Sequence, residues 1–586
     1  EVAQEGETMA AIIKRRHARR RLLGTVLAGG AGAAFLAACG DDGDSDGRDG
    51  GTGQGLAVAT STRAAETAPP KPGGVVNLRQ SANAPLDPHA NATFAAQTFA
   101  SYVLARLLKI KTGPDPSFAN NFELEPDLAQ AVETPGDGRT VTCTMRAATF
   151  HNVAPVNGRA VDSEDVKFSL ERFRNEPKNN NRTVFGTAES PLVEAVETPD
   201  ARTVVFKLAK PYGPFLSLLA NANYLWIMPK ELSAGAWDPA KQVIGAGPFM
   251  LESTQPDIAY KVRKNPAYFL PGQPYVDSVN LTIIAEEAQE VAQFQAGRLE
   301  LAGLPAERME EVRRSVPKAT ILEFIPQTLR YLAMQQRGES PLRDERVRRA
   351  AQMAIDRDAL ISLIYLDRGD WTTAIPANFG AWRVDPKSAE MGAAGQWFKH
   401  NPAESKKLLA AAGYGGGFPV RFNYSNNIYG ERFNQEAEAV AGMLKEAGFT
   451  VQMNPQDYLS QYITPGTGTI FGNYEGMVFG TAATYSDPHE YFITQYYSKS
   501  SRNTAGVNDP QLDALILKEE AVADINERQK LVKEIQVHLA DKVYYGQTVV
   551  GPAFVGVQEW LKNYQRTNGF GVGGEAYNKV WIDRGS

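Results

Sequence analysis

The chain has 586 residues, 22% of them charged and 43% hydrophobic, and a formal net charge of −6. That length exceeds what one core accommodates, so two or three domains are expected. An acidic balance without a basic stripe excludes nucleic acid as a partner, and two cysteines supply no disulfide framework.

The first seventy residues differ from the rest. Lys14, Arg15, Arg16 and Arg19–Arg21 precede Leu22–Ala38, a run of 17 uncharged residues made mostly of Gly and Ala. Such a run barely reaches across a bilayer, and with its positive start it reads as an export signal over residues 1–38. The Arg19–Arg20 pair followed by Leu22–Leu23 leaves both twin-arginine and Sec export open. Met9 reads as the true start, with residues 1–8 upstream of it. Residues 1–38 hold three Glu against one Lys and five Arg, a net of +3, so the remainder carries −9. Leu36-Ala37-Ala38-Cys39 resembles a bacterial lipobox, which implies that Cys39 is lipidated. Residues 39–72, rich in Gly, Asp, Ser, Thr, Ala and Pro, form no core and read as a flexible tether.

Beyond Pro72, strands and helices alternate irregularly. "GGVVNL" and "VDSVNLTII" read as buried strands. "VETPGDGRTVTCTM" and "VETPDARTVVFKL" echo one another: a strand, a Pro-Asp or Pro-Gly-Asp turn, and a β-branched strand returning, which is the chemistry of two similar hairpins. Cys143, inside the first of these, is expected to be a buried structural thiol. "DSEDVKFSLERF" starts a helix capped by Asp162 or Ser163, with Val166, Leu170 and Phe173 on one face. "DERVRRAAQMAIDRDALISLIY" carries a stripe of Val347, Ala351, Ala354 and Ile355, then restarts near Asp356 or Asp358. Gly413 and Gly448 end two further helices. "DPQLDALILKEEAVADINERQKLVKEIQVHLADK" gives two more. The fold class is α/β with mixed sheets.

The motifs of catalysis are missing. There is no G-x-S-x-G elbow, no phosphate loop, and no G-x-G-x-x-G after a strand. "HEYFI" at His489 begins like a zinc helix, but Ile493 stands where the second ligand belongs. No cofactor and no metal are expected, and the simplest reading is a binding protein.

The motifs carry a family likeness. "PGGVVNLRQSANAPLDPHA", "LEPDLAQAVETPGDGRTVTCTMRAATFHN", "GRAVDSEDVKFSLERF", "GAGPFML", "KNPAYF", "PLRDERVRRAAQMAIDRDAL", "NPAESKKLLAAAGY", "YSDPHEYF" and "NDPQLDALILKEEAVADINERQKLVKEIQ" follow one another in order over about residues 72–582. This series resembles the family 5 extracytoplasmic solute-binding proteins, the oligopeptide and dipeptide receptors of ABC importers. The resemblance implies a two-lobed periplasmic-binding-protein-like fold with a hinge and an inserted domain. Lobe one would combine residues 73–108, 244–335 and 551–586; the inserted domain would span 109–243 and lobe two 336–550. It also implies a monomer outside the cytoplasm, anchored through Cys39, that delivers solute to membrane permease subunits.

Candidate solute contacts follow from the resemblance. Many peptide-binding members pair the peptide α-ammonium with an Asp three residues before the acidic residue of a "DP" step; here that position is Thr484. A hydroxyl does not replace a buried counter-charge, so this departure weighs against that mode. Asp487 and Tyr485 lie in the same stretch. Trp226, Trp371 and Trp382 fall in segments that border the cleft in relatives and suit apolar side chains or sugar faces. Arg330 lies near the crossover to lobe two, where a guanidinium could hold a carboxylate. Asn83 and Asp87 follow the first strand, where relatives present polar groups. Peptide is the leading solute and oligosaccharide the alternative. A surface hydrolase with a hidden carboxylate pair, and a receptor serving a signalling partner, are the remaining readings.

Overall fold

A computed structural model describes residues 66–586 apart from 92, 113–122, 180, 187–189, 465, 483, 567–572 and 586. The export segment, Cys39 and most of the tether lie outside the described residues.

The first sheet grows from Val75–Gln80, which pairs in parallel with Ser278–Ile283; Ala259–Lys264 and Phe249–Gln255 extend it antiparallel. Gly73 and Gly74 enter the first strand at φ +103° and +92°, a left-handed backbone that a side chain would strain. Val76 and Leu78 point inward with Val262, Val279 and Leu281. A second small sheet places Ala553–Val557 between Leu301–Leu304 and Thr320–Phe324, antiparallel to both. The C-terminal segment therefore returns to the first lobe.

Both expected hairpins form. Ala129–Glu133 turns into Thr140–Met145, Val193–Asp200 turns into Thr203–Leu208, and the two inner strands pair antiparallel into one four-stranded sheet. The alternation in sequence becomes alternation in space: Val141, Cys143 and Met145 are buried with Val204, Phe206 and Leu208. Each such side chain contributes roughly 1.5–3 kcal/mol when fully buried. The helix Ser163–Asn175 adds Val166, Leu170 and Phe173 to this core. Its N-terminus is closed by a reciprocal capping box between Asp162 and Asp165.

The second lobe is built on a mixed five-stranded sheet in the order Phe449–Gln456, Phe418–Ser425, Met477–Thr481, Arg330–Met334, Tyr545–Gln547. The first three run parallel, and Arg330–Met334 is antiparallel to its neighbours on both sides. Arg330–Met334 thus belongs to this sheet, between Met477–Thr481 and Tyr545–Gln547. Helices Glu345–Ala354 and Arg357–Tyr365 are separated at Asp356, which caps the second, and Gly413 and Gly448 follow their helices at φ +93° and +100°. The returning crossover lies beside the outgoing one, where the Thr548 hydroxyl oxygen stands 3.4 Å from the Arg330 carbonyl oxygen. Two adjacent connections of this kind are the geometry of a hinge.

Candidate solute-binding cleft

A groove of about 500 Å³ runs between the inserted domain and the second lobe. Leu124, Leu216 and Ser217 line one wall; Trp382, Asp487 and Ile525 are among those lining the other. Its volume is that of a small-molecule site.

The groove is bordered by ionic groups. Asp487 caps the helix Pro488–Gln495 by accepting from the His489 N–H at 2.9 Å, and the same carboxylate takes the Arg528 guanidinium. Burial acts to raise the Asp487 pKa, but Arg528 and these hydrogen bonds outweigh it and hold the carboxyl below its ordinary value. Arg528 also donates to Glu519 at 2.6 Å. Glu519 and Glu520 flank the buried His489 ring at 2.6 and 3.3 Å. From the inserted domain, Lys210 reaches Glu520, the Tyr224 hydroxyl donates to Glu490, and Tyr212 meets the His489 ring edge-on at 5.5 Å. "HEYFI" is thus an ion-pair helix that locks two bodies together.

Thr484 and Tyr485 lie just before this helix, both half-buried. Tyr485 packs edge-to-face on Tyr491 at 5.0 Å and borders a second, smaller cavity inside the lobe, of about 20 Å³, with Tyr331, Thr481, Gln495, Arg502 and Thr504. Thr481, Ala482 and Tyr485 thus line the smaller cavity and Ser486, Asp487 and Pro488 the groove; Tyr485, Asp487 and Trp382 are the predicted residues that line one or the other, and Thr484 lines neither.

The other predicted residues sit elsewhere. Trp226 is fully buried; its indole N–H donates to Gln97 Oε1 at 2.6 Å and the Arg106 guanidinium stacks 4.3 Å from its ring. Asp87 is buried in a bidentate pair with Arg172 at 3.0 and 2.5 Å, joining the first lobe to the inserted domain. Its neighbour His89 accepts from the Trp226 N–H, and burial pushes its pKa down to about 3. Asn83 is exposed and accepts from the Asp257 N–H at 3.0 Å. The Arg330 guanidinium is taken by the buried Glu436, which also accepts from Tyr365 at 3.0 Å and Thr548 at 3.1 Å. The Trp371 indole donates to Asp358 at 2.9 Å, with the Lys387 ammonium over the ring at 4.2 Å. Sequence reasoning missed Ser217, Arg502 and Arg528. Arg528 has one usable signal, a cation on the inward face of an otherwise amphipathic helix.

A two-lobed α/β body with two adjacent crossovers and a groove lined from separate parts of the chain matches the architecture of solute-binding proteins. The chain belongs to the bacterial extracellular solute-binding proteins, family 5, whose model matches residues 123–503. Among curated relatives, heme-binding protein A of Haemophilus influenzae is 24% identical over 498 residues, covering 82% of this chain and 87% of that protein. The probable D,D-dipeptide-binding periplasmic protein DdpA of Escherichia coli is 25% identical over 500 residues, with coverage of 82% and 87%. Among solved structures, the ABC transporter-associated periplasmic binding protein DppA from Helicobacter pylori, in complex with peptide STSA, superposes with a TM-score of 0.71. It is 21% identical and covers 88% of this chain and 99% of its own. AgaA from A. tumefacien R10, in complex with agropinic acid, gives 0.70 at 23% identity, with coverage of 88% and 99%.

Proposed function

We propose that this chain captures a small peptide between its lobes and delivers it to the permease of an ABC importer, held at the outer membrane face through a lipid on Cys39. The observation that carries the reading is the groove of about 500 Å³ shared by the inserted domain and the second lobe. A solute that touches both walls favours the closed form by its differential affinity, and the closed form is what a permease can distinguish. Relatives named for dipeptides and oligopeptides support peptide as the solute class. Trp382 on the groove wall supports oligosaccharide as the second reading, because an indole face stacks on a sugar ring.

The test is native mass spectrometry of freshly purified protein, followed by a thermal-shift screen of mixed di- and tripeptides against oligosaccharides. A ligand at 100 times its dissociation constant adds about 2.7 kcal/mol of stability. A shift with peptides alone supports the first reading, and a shift with oligosaccharides alone replaces it with the second.

A further inference from the structure

Among the described residues, Arg502 shares with Arg146 a restricted exposure and a guanidinium that no carboxylate or carbonyl takes, and of the two only Arg502 lines a cavity of the second lobe. Arg172 is paired with Asp87, Arg330 with Glu436, and Arg528 with Asp487 and Glu519, while Arg348 and Arg357 are wrapped by backbone carbonyls. Arg502 is half-buried in the small second-lobe cavity, yet among the described residues no carboxylate or carbonyl takes its guanidinium. Its one neighbour of note is the Phe471 ring, 5.7 Å away, at the outer reach of a cation–π contact. A guanidinium offers five N–H donors in a planar fork, and those of Arg502 are open to a ligand.

A second group lining the same cavity is buried and unsatisfied. Gln495 is 5% exposed, and neither its amide oxygen nor its amide nitrogen has a hydrogen-bond partner. The Tyr331 and Tyr485 phenols beside them are held protonated by burial, against the opposing pull of Arg502, so they supply no counter-charge. The cavity therefore presents a cation and an amide donor, and lacks an anion among the described residues. Its volume of about 20 Å³ matches one or two water-sized atoms, at roughly 10–15 Å³ each. That suits the two oxygens of a carboxylate and is too small for the four of a phosphate or for a sugar ring.

We propose that Arg502, with Gln495, forms a carboxylate subsite, so that the solute is anchored in the second lobe through an acid group. This deepens the receptor reading. The carboxylate comes from a peptide C-terminus or from a non-peptide organic acid, and the test separates the two.

Four probes are titrated against the full chain by thermal shift and calorimetry: a tripeptide mixture as free acids, the same mixture as C-terminal amides, the N-acetylated free acids, and gluconate. The proteins are wild type, R502Q and R502K. R502Q is expected to keep the unliganded melting temperature within a few degrees, because Arg502 holds no structural partner. Free and N-acetylated acids are expected to bind wild type alike and the amides at least tenfold more weakly. R502Q is expected to lose at least tenfold for the acids and to equalise acid and amide, with partial recovery in R502K. Equal wild-type binding of acids and amides, or an acid preference that survives R502Q, overturns the subsite while leaving the peptide reading intact. Binding of gluconate but of no peptide, lost in R502Q, removes the peptide reading and supports the subsite. Absence of binding by every probe overturns both.

Discussion

The Ser217 hydroxyl donates to Asp487 at 3.2 Å, across the contact between the inserted domain and the second lobe. The same carboxylate caps a helix and neutralises Arg528, so one buried group couples local helix geometry to the contact between the two walls of the groove. Replacing it separates the two roles. Asp487→Asn keeps a good capping side chain but removes the charge opposite Arg528, whereas Asp487→Ala removes both. We expect Asp487→Ala to lose about 2–4 kcal/mol in urea unfolding, because Arg528 retains Glu519 while the cap and one ion pair are gone. Asp487→Asn should lose about 1 kcal/mol less than that. Equal losses in the two variants would show that the cap contributes nothing.

The cluster around His489 predicts a dependence on pH. Burial acts to lower the His489 pKa, but Glu519 and Glu520 outweigh it and raise it from 6.5 to about 9. Burial raises Glu490 from 4.5 to about 7, with Asp487 adding to the rise and the Tyr224 hydroxyl and His489 opposing it. Lys210, Tyr212, Ser217 and Asn221 face these groups from the inserted domain, and Arg528 from the second lobe. Both folded pKa values exceed their unfolded ones, so the folded state binds more protons. Stability is then lost as pH rises, through 4.5 to 7 for Glu490 and 6.5 to 9 for His489. Buried His89 and His151, lowered to about 3 and 4, act oppositely and lose stability as pH falls below 6.5. The difference between wild type and Glu490→Gln cancels those terms. The variant's stability should fall less than that of wild type between pH 4.5 and 7, by about 1–3 kcal/mol, and run parallel to it above pH 7.5. Parallel curves throughout would remove Glu490 from the account.

Much of this architecture is legible in the amino-acid sequence because it is set by neighbours in the chain. The two hairpins follow from alternating β-branched runs around Pro-Asp turns. The helix starts at Asp162 and Asp356 and the stops at Gly413 and Gly448 follow from cap chemistry, which is local. What resists reading is non-local. Tyr331-Leu332-Ala333-Met334 is apolar enough for a buried strand in either lobe, so only pairing with Met477–Thr481 and Tyr545–Gln547 decides its sheet. Asp487 and Arg528 are 41 residues apart, and nothing in either segment names the other. Trp226 looks like a cleft aromatic by its neighbours in the chain, but Gln97 and Arg106 enclose it from segments more than 100 residues earlier.

Trp226 and Trp382 are therefore expected to behave differently. Trp226→Phe should destabilise the protein by about 2–3 kcal/mol, through a lost buried hydrogen bond and a residual cavity, and leave solute affinity within twofold of wild type. Trp382 lines the groove with Arg528 5.0 Å from its ring. Trp382→Phe should leave the melting temperature nearly unchanged and abolish most of the solute-induced change in tryptophan fluorescence. A fluorescence change that persists in Trp382→Phe and disappears in Trp226→Phe would move the site away from this groove.

The thiols give a count that bears on the anchor. The sequence holds two cysteines, Cys39 and Cys143. Cys143 is fully buried in the hairpin core, and burial pushes its pKa up to about 12, so it holds almost no thiolate at neutral pH. Protein extracted from its own membrane should give no reaction with a disulfide reagent while folded. In denaturant it should release one equivalent per chain, from Cys143, because a thioether-linked Cys39 carries no free thiol. The Cys39→Ser variant should also give one equivalent, but should be recovered without the membrane. Two equivalents from the wild-type membrane protein would mean that Cys39 is unmodified, and the tether would then need another means of attachment.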